Sequence, residues 1–202
     1  MCTRNNQRGI SLVELIMFIV IVSVALAGIL LVMNTVTKGS ADPLIHKQAL
    51  AIAESLLEEV ELMPFTYCDP DDPNAAAAQF AVAGAGGCTV RVEGLGLDAA
   101  FAPYQTVAET RYSATAPFDN VNDYNNFSMT AAGGIQNVAG NTVLTGYDAL
   151  VTVQAAPLAG IAGTDGNGTP QVLLVTVTVT GPDNVPVTLE GYRTRFAPNG
   201  LP

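Results

Sequence analysis

The chain has 202 residues, 49% of them hydrophobic and only 13% charged, with 8 basic against 18 acidic side chains and a formal net charge of −10. No basic tract follows the first eight residues, so nothing in the composition offers a surface for nucleic acid or anionic lipid. His46 is the single histidine, which leaves little for histidine-based catalysis or metal binding.

In chain order, the first element is Leu15 to Met33, 19 residues without a charge. At about 1.5 Å per residue this crosses a hydrocarbon core about 30 Å thick, and the sequence predicts one membrane-spanning helix at about 15–33. Arg4 and Arg8 put the short N-terminal arm in the cytoplasm, and everything after Thr37 lies across the inner membrane. Glu14 stands at the mouth of this run, where an ionisable group costs on the order of a few kcal/mol unless it has a partner or a function. A secretory signal would use Arg4 and Arg8 as its basic region and Ala25-Leu26-Ala27 as its cleavage site, yet the apolar run continues past Gly28 to Met33. A plain anchor explains the length and leaves Glu14 unexplained.

Gln7-Arg8-Gly9 followed by Ile10-Ser11-Leu12-Val13-Glu14-Leu15 resembles the class III leader of type IV prepilins and pseudopilins. The resemblance implies that residues 1–9 are a leader, that a prepilin peptidase cuts between Gly9 and Ile10, and that the new Ile10 amine is N-methylated. Glu14 then matches the family's glutamate five residues into the mature chain, although that chain more often starts with Phe or Met than with Ile. In one helix the Ile10 amine and Glu14 lie one turn apart and can pair in cis. Between packed helices the amine of an incoming subunit neutralises Glu14 of its neighbour, and a buried pair of this kind sets registry. Glu14 is thus expected to be a docking register; the alternative is a carboxylate that snorkels to the headgroups. The implied partners are other major and minor pilins through the N-terminal helix, the prepilin peptidase and the inner-membrane pilus assembly platform.

Two further stretches, SADPLIHKQALAIAESLLEEVELMPFTYCDPDD and ETRYSATAPFDNVNDYNNF, look like D-type minor pilins of mannose-sensitive haemagglutinin (MSHA) pili. By that resemblance the chain is a minor pilin that initiates, primes or tips the filament, with its head first in the periplasm and later at the cell surface. Minor pseudopilins of type II secretion or DNA-uptake systems carry the same leader. A membrane-tethered binding module that never polymerises needs neither Gly9-Ile10 nor Glu14. Loss of Arg4 and Arg8 with the leader leaves 6 basic against 18 acidic residues, a net charge of −12, so direct nucleic-acid binding is not expected.

The N-terminal helix is expected to span 10–63, with a joint near 39–43 where Asp42 can cap and Pro43 suits a first helical turn, so that the helix restarts or kinks there. Beyond it Ile45, Ala49, Ile52, Leu56, Val60 and Met63 form an apolar stripe, with Glu54, Glu58 and Glu61 mainly on the other side. His46 borders the stripe. Of three cysteines, Cys2 falls in the leader, which leaves Cys68 and Cys88 as an expected disulfide closing about 20 residues.

The remaining 139 residues, 64–202, suffice for one globular head. Tyr147 to Ala155 and Leu173 to Thr180 alternate in polarity as half-buried strands, and Gly181-Pro182-Asp183-Asn184 turns the second into a strand through Val187 and Leu189 to Phe196. Gly191 shifts the phase between Leu189 and Tyr192, which predicts a bulge. A long helix laid on an antiparallel sheet is an α+β, pilin-like architecture. No nucleophile–base pair, open metal site or phosphate loop is legible, so no enzyme is expected and no cofactor is implied. The one opening for metal chemistry is the oxygen-rich run Asp119 to Asn126, where Asp119, Asn122 and Asp123 are the calcium candidates. Asp69, Asp71 and Asp72, and Asp165-Gly166-Asn167-Gly168, are lesser ones, and none has EF-hand spacing. Runs of this composition more often build turns.

Overall fold

The computed structural model describes residues 11–200, and the side chains of all of these except 37–42. Two compact units are present, Met1–Leu44 and Ile45–Pro202. Helix α1, Leu12–Leu62, carries Pro43 inside it. The chain therefore does not restart at the expected joint: the backbone stays helical through 39–43, and the unit boundary falls just beyond Pro43.

In the globular unit α1 contributes Ala49, Ala53, Leu56 and Val60, each at most 3% exposed. The buried row is centred on alanines rather than on Ile45 and Ile52, which are only half-buried. Ala49 and Ala53 add little apolar surface of their own to this row. Leu56 and Val60 then supply the burial, roughly 1.5–3 kcal/mol each. Glu54 and Glu58 are exposed, as is His46.

The sheet that receives this row is antiparallel. It runs in the order β1 (Ser128–Met129), β4 (Asp148–Ala155), β5 (Val172–Thr180), β6 (Pro186–Thr194), and β2 (Ile135–Gln136) and β3 (Thr142–Leu144) form a separate hairpin. Strict alternation puts Ala149, Val151 and Val153 on one face of β4, opposite Val179, Val177 and Val175 of β5. These residues pack with the α1 row into one core, joined by an edge-to-face cluster in which the Phe118 and Tyr124 rings lie 4.9 Å apart.

The expected bulge at Gly191 is absent. Pairing from Val172↔Thr194 to Thr180↔Pro186 is unbroken, with Gly191 opposite Val175. Gly191 instead stands where α1 crosses β6: a Cβ there would collide with Glu61 Oε1 and come within 3.1 Å of Leu57 Cδ1. The glycine serves close approach, and Tyr192 keeps the outward phase, 44% exposed.

Candidate functional site

The N-terminal unit offers one chemical feature on an apolar rod. Gly9 and Ile10 lie outside the described residues. Glu14 lies in the first turn of α1, and Leu15 N–H closes that turn on Ser11 C=O at 3.0 Å. Every described residue from Ser11 to Val36 is exposed. Leu12–Val36, 25 residues, is long and apolar enough to cross a membrane. Its polar residues are prepared for lipid: Ser23 Oγ donates to Ile19 C=O at 2.7 Å and Thr35 Oγ1 to Leu31 C=O at 2.9 Å, so neither hydroxyl is left bare. Nothing within the chain approaches the Cβ position of Gly28. Among the described residues the Glu14 carboxylate has no hydrogen bond or ion pair.

The helix end is locked to the head through Glu59, a residue the sequence reading passed over. Arg111 grips it twice, Nε to Oε1 at 2.7 Å and Nη2 to Oε2 at 2.6 Å, and Tyr124 Oη donates to Oε1 at 2.8 Å. Burial alone would lower the Arg111 pKa, but the Glu59 contacts outweigh it and the guanidinium stays charged.

Cys68 and Cys88 are joined, with Cα atoms 5.4 Å apart. The loop they close is shaped by Asp72. Its Oδ1 accepts from Asn74 N–H and Thr89 N–H, both at 2.9 Å, and its Oδ2 from Val90 N–H at 2.6 Å and Arg91 N–H at 2.8 Å. Burial raises such a carboxyl, yet four backbone donors hold Asp72 below the ordinary carboxylate range.

The oxygen-rich run is a capped 3-10 turn, Val121–Tyr124. Asp123 Oδ2 accepts from Asp119 N–H at 3.0 Å and Asn120 N–H at 2.7 Å. The structure carries Asp119 and Asp123 beyond a turn, however, because carboxylates from distant loops meet them. Oxygens of Glu109, Asp119 and Asp123 lie within 4.8 Å of one another, as do those of Asp69, Asp71 and Asp119, and those of Asp69, Glu93 and Asp98. Asp69 and Asp119 belong to two groups each, so the three merge into one acidic basin. Among the described residues one ion pair reaches it, Arg91 Nε to Asp98 Oδ1 at 3.1 Å. Desolvation, followed by repulsion between neighbours, pushes Asp119 up to about 8 and Asp123 up to about 9. Desolvation raises Asp69 to about 7 and also raises Glu93, Asp98 and Glu109. Asn122 is buried beside these residues with its Oδ1 unpaired. Asp165 lies apart, its Oδ1 accepting from Asn167 N–H and Thr169 N–H in an exposed turn.

Residues 4–30 match the family model described as the prokaryotic N-terminal methylation motif. That match supports a place in the type IV pilin and pseudopilin superfamily. The apolar N-terminal helix, the one such helix among the described residues, fits anchoring in the inner membrane. No curated protein and no solved structure matches the chain.

Proposed function

We propose that this chain is a minor type IV pilin that initiates, primes or tips an MSHA-like pilus. In this reading residues 1–9 are a leader that the prepilin peptidase removes between Gly9 and Ile10, the Ile10 amine is N-methylated, and the head of residues 64–202 faces the periplasm before assembly. The observation that carries the proposal is the rod Leu12–Val36, exposed on all sides, with Glu14 alone as a charge in its first turn. Lipid covers an apolar rod but offers no cation deep enough to neutralise a carboxylate, whereas the N-terminal amine of a second helix does. The partners are accordingly the N-terminal helices of other pilins and, during assembly, the inner-membrane platform.

The test combines processing with assembly. Intact-mass analysis of membrane-extracted protein is expected to show loss of Met1 to Gly9 plus one methyl group. Glu14→Ala is expected to leave cleavage and membrane level unchanged and to remove the subunit from sheared filaments. Immunogold labelling of those filaments distinguishes tip from shaft. An N-terminus at Gly28, or Glu14→Ala protein in filaments at the wild-type ratio, would overturn the proposal. Wild-type chain that is never found in filaments would mark a tethered binding module instead.

A further inference from the structure

The geometry points to a binding site for a hard divalent cation, calcium by its ligand chemistry, in the basin formed by Asp69, Glu93, Asp98, Glu109, Asp119 and Asp123. Crowded acids alone would not establish this; the way their oxygens are used does. Three of these carboxylates have one oxygen fastened by a hydrogen bond and a fourth has one in an ion pair; in all four the other oxygen is buried with no donor. Asp69 accepts from Asp71 N–H at Oδ1 and leaves Oδ2 bare. Asp98 takes Arg91 at Oδ1 and leaves Oδ2 bare. Glu109 takes Gln105 Nε2 at Oε1, 3.0 Å, and leaves Oε2 bare. Asp123 takes two backbone N–H groups at Oδ2 and leaves Oδ1 bare. All four residues are at least nine-tenths buried: Asp69 is 0% exposed, Asp123 1%, Glu109 2% and Asp98 7%.

A fixed oxygen sets the orientation of its carboxylate, and a bare buried one needs a positive partner. Glu93 and Asp119 each add another bare oxygen, Oε1 and Oδ1. Asn122, in the turn between Asp119 and Asp123, leaves a neutral amide oxygen unpaired as well. Protonation could pair Asp69 with Asp98 and Glu109 with Asp123, but it leaves the bare oxygens of Glu93 and Asp119 without a partner.

The chemistry of the set chooses the ion. Every ligand is a hard oxygen, and the soft or borderline ligands stand elsewhere: His46 is exposed on α1, and Cys68 and Cys88 are bonded to each other. Each group of three carboxylates, drawn from separate loops, supplies part of the 6–8 oxygen shell of calcium, whose geometry is flexible and which water completes. Magnesium keeps much of its water and uses one or two carboxylates, which fits a crowded buried basin poorly.

The full chain in detergent, stripped with a chelator and dialysed, would be titrated with calcium chloride in a calorimeter and melted in parallel by circular dichroism. Saturable binding and a melting temperature that rises with calcium are expected, with magnesium at least about tenfold weaker. Glu93→Gln is the cleanest variant because its side chain makes no hydrogen bond among the described residues that the change would break; it is expected to weaken calcium binding about 10–100-fold. Asp69→Asn serves as an independent second variant, and Glu190→Gln, an exposed acid on β6, is expected to bind as wild type. The inference is overturned if folded wild-type protein shows no saturable binding up to about 10 mM calcium, above the range of extracellular modules. Wild-type affinity in both Glu93→Gln and Asp69→Asn would also overturn it, and an equal response to magnesium would overturn the assignment to calcium.

Discussion

Removing Glu59 tests whether the end of α1 is fastened to the head by charge or only by its apolar row. Glu59→Ala deletes three hydrogen bonds, two from Arg111 and one from Tyr124 Oη. It leaves a guanidinium whose side chain is 4% exposed without its counter-charge. Breaking a buried pair in this way costs about 3–5 kcal/mol. The lower end applies here, because the Glu59 side chain is itself 15% exposed and Arg111 Nη1 keeps Gln136 C=O at 2.9 Å. Arg111 also stays over the Tyr112 and Phe127 rings, at 5.3 and 5.4 Å. For a unit the size of Ile45–Pro202, about 3 kcal/mol corresponds to a fall in melting temperature of about 6–12 °C. Thermal melts of the full chain in detergent measure it, with Glu59→Leu, Arg111→Met and the double variant completing a cycle. The double variant is expected to cost less than the sum of the single ones by at least about 1 kcal/mol, since it leaves no buried charge. A shift under about 2 °C for Glu59→Ala, or strict additivity in the cycle, would refute the lock.

Three further predictions follow from particular contacts. Replacing both Cys68 and Cys88 by serine is expected to cost about 3 kcal/mol and to open the 69–87 loop to proteolysis, which a melt and a timed digest would show; unchanged values for both would contradict a structural bridge. Gly191→Ala puts a methyl group where the Glu61 carboxylate stands and forces that side chain and Leu57 Cδ1 to swing aside, and it is expected to destabilise by about 1 kcal/mol in denaturant titration; no loss at all would contradict the contact. In chelator, melting temperature is expected to fall as pH rises. Asp69, Asp119 and Asp123 have folded values raised to about 7, 8 and 9, above the unfolded carboxyl value of about 3.9, so the unfolded chain releases protons first. The contribution of these three carboxyls is fully present below about pH 4 and is lost between there and about pH 9; a melting temperature that climbs over that range would contradict the buried basin.

What could be read in the sequence was periodic. The uncharged run before Lys38 declares the rod, and the alternation of valine with threonine in Leu173 to Thr180 declares β5 and, with its neighbours, the sheet. A stripe of threes and fours declared the helix, though Ala53, fully buried, was lost among bulkier residues because alanine carries little hydrophobic signal. Gly191 misled for a similar reason. A phase change in β6 is the ordinary mark of a bulge, and only the helix crossing above it shows that the missing side chain serves an approach between two elements.

The other half of the head has no period to read. From Met63 to Phe127 the only regular element among the described residues is the four-residue turn Val121–Tyr124. Such a segment cannot draw its stability from a repeating hydrogen-bond ladder, so it depends on point fasteners between residues far apart in sequence. Glu59 meets Arg111 across 52 positions, Asn120 Nδ2 donates to Thr66 Oγ1 across 54, and Asp72 gathers N–H groups 17 to 19 positions away. The acidic basin follows the same logic, collecting Asp69, Glu93, Asp98, Glu109, Asp119 and Asp123 from loops with no fixed spacing. The run Asp119 to Asn126 betrayed two of these residues because they share a turn, and the Asp69-Asp71-Asp72 run hinted at a third; Glu93, Asp98 and Glu109 carried no local mark. Fastening irregular loops at a few buried polar nodes also concentrates the risk. Each node holds several loops at once, so the loss of Glu59, the disulfide or the basin's counter-charge is expected to loosen the segment 63–127 while leaving the pairing of β4, β5 and β6 intact.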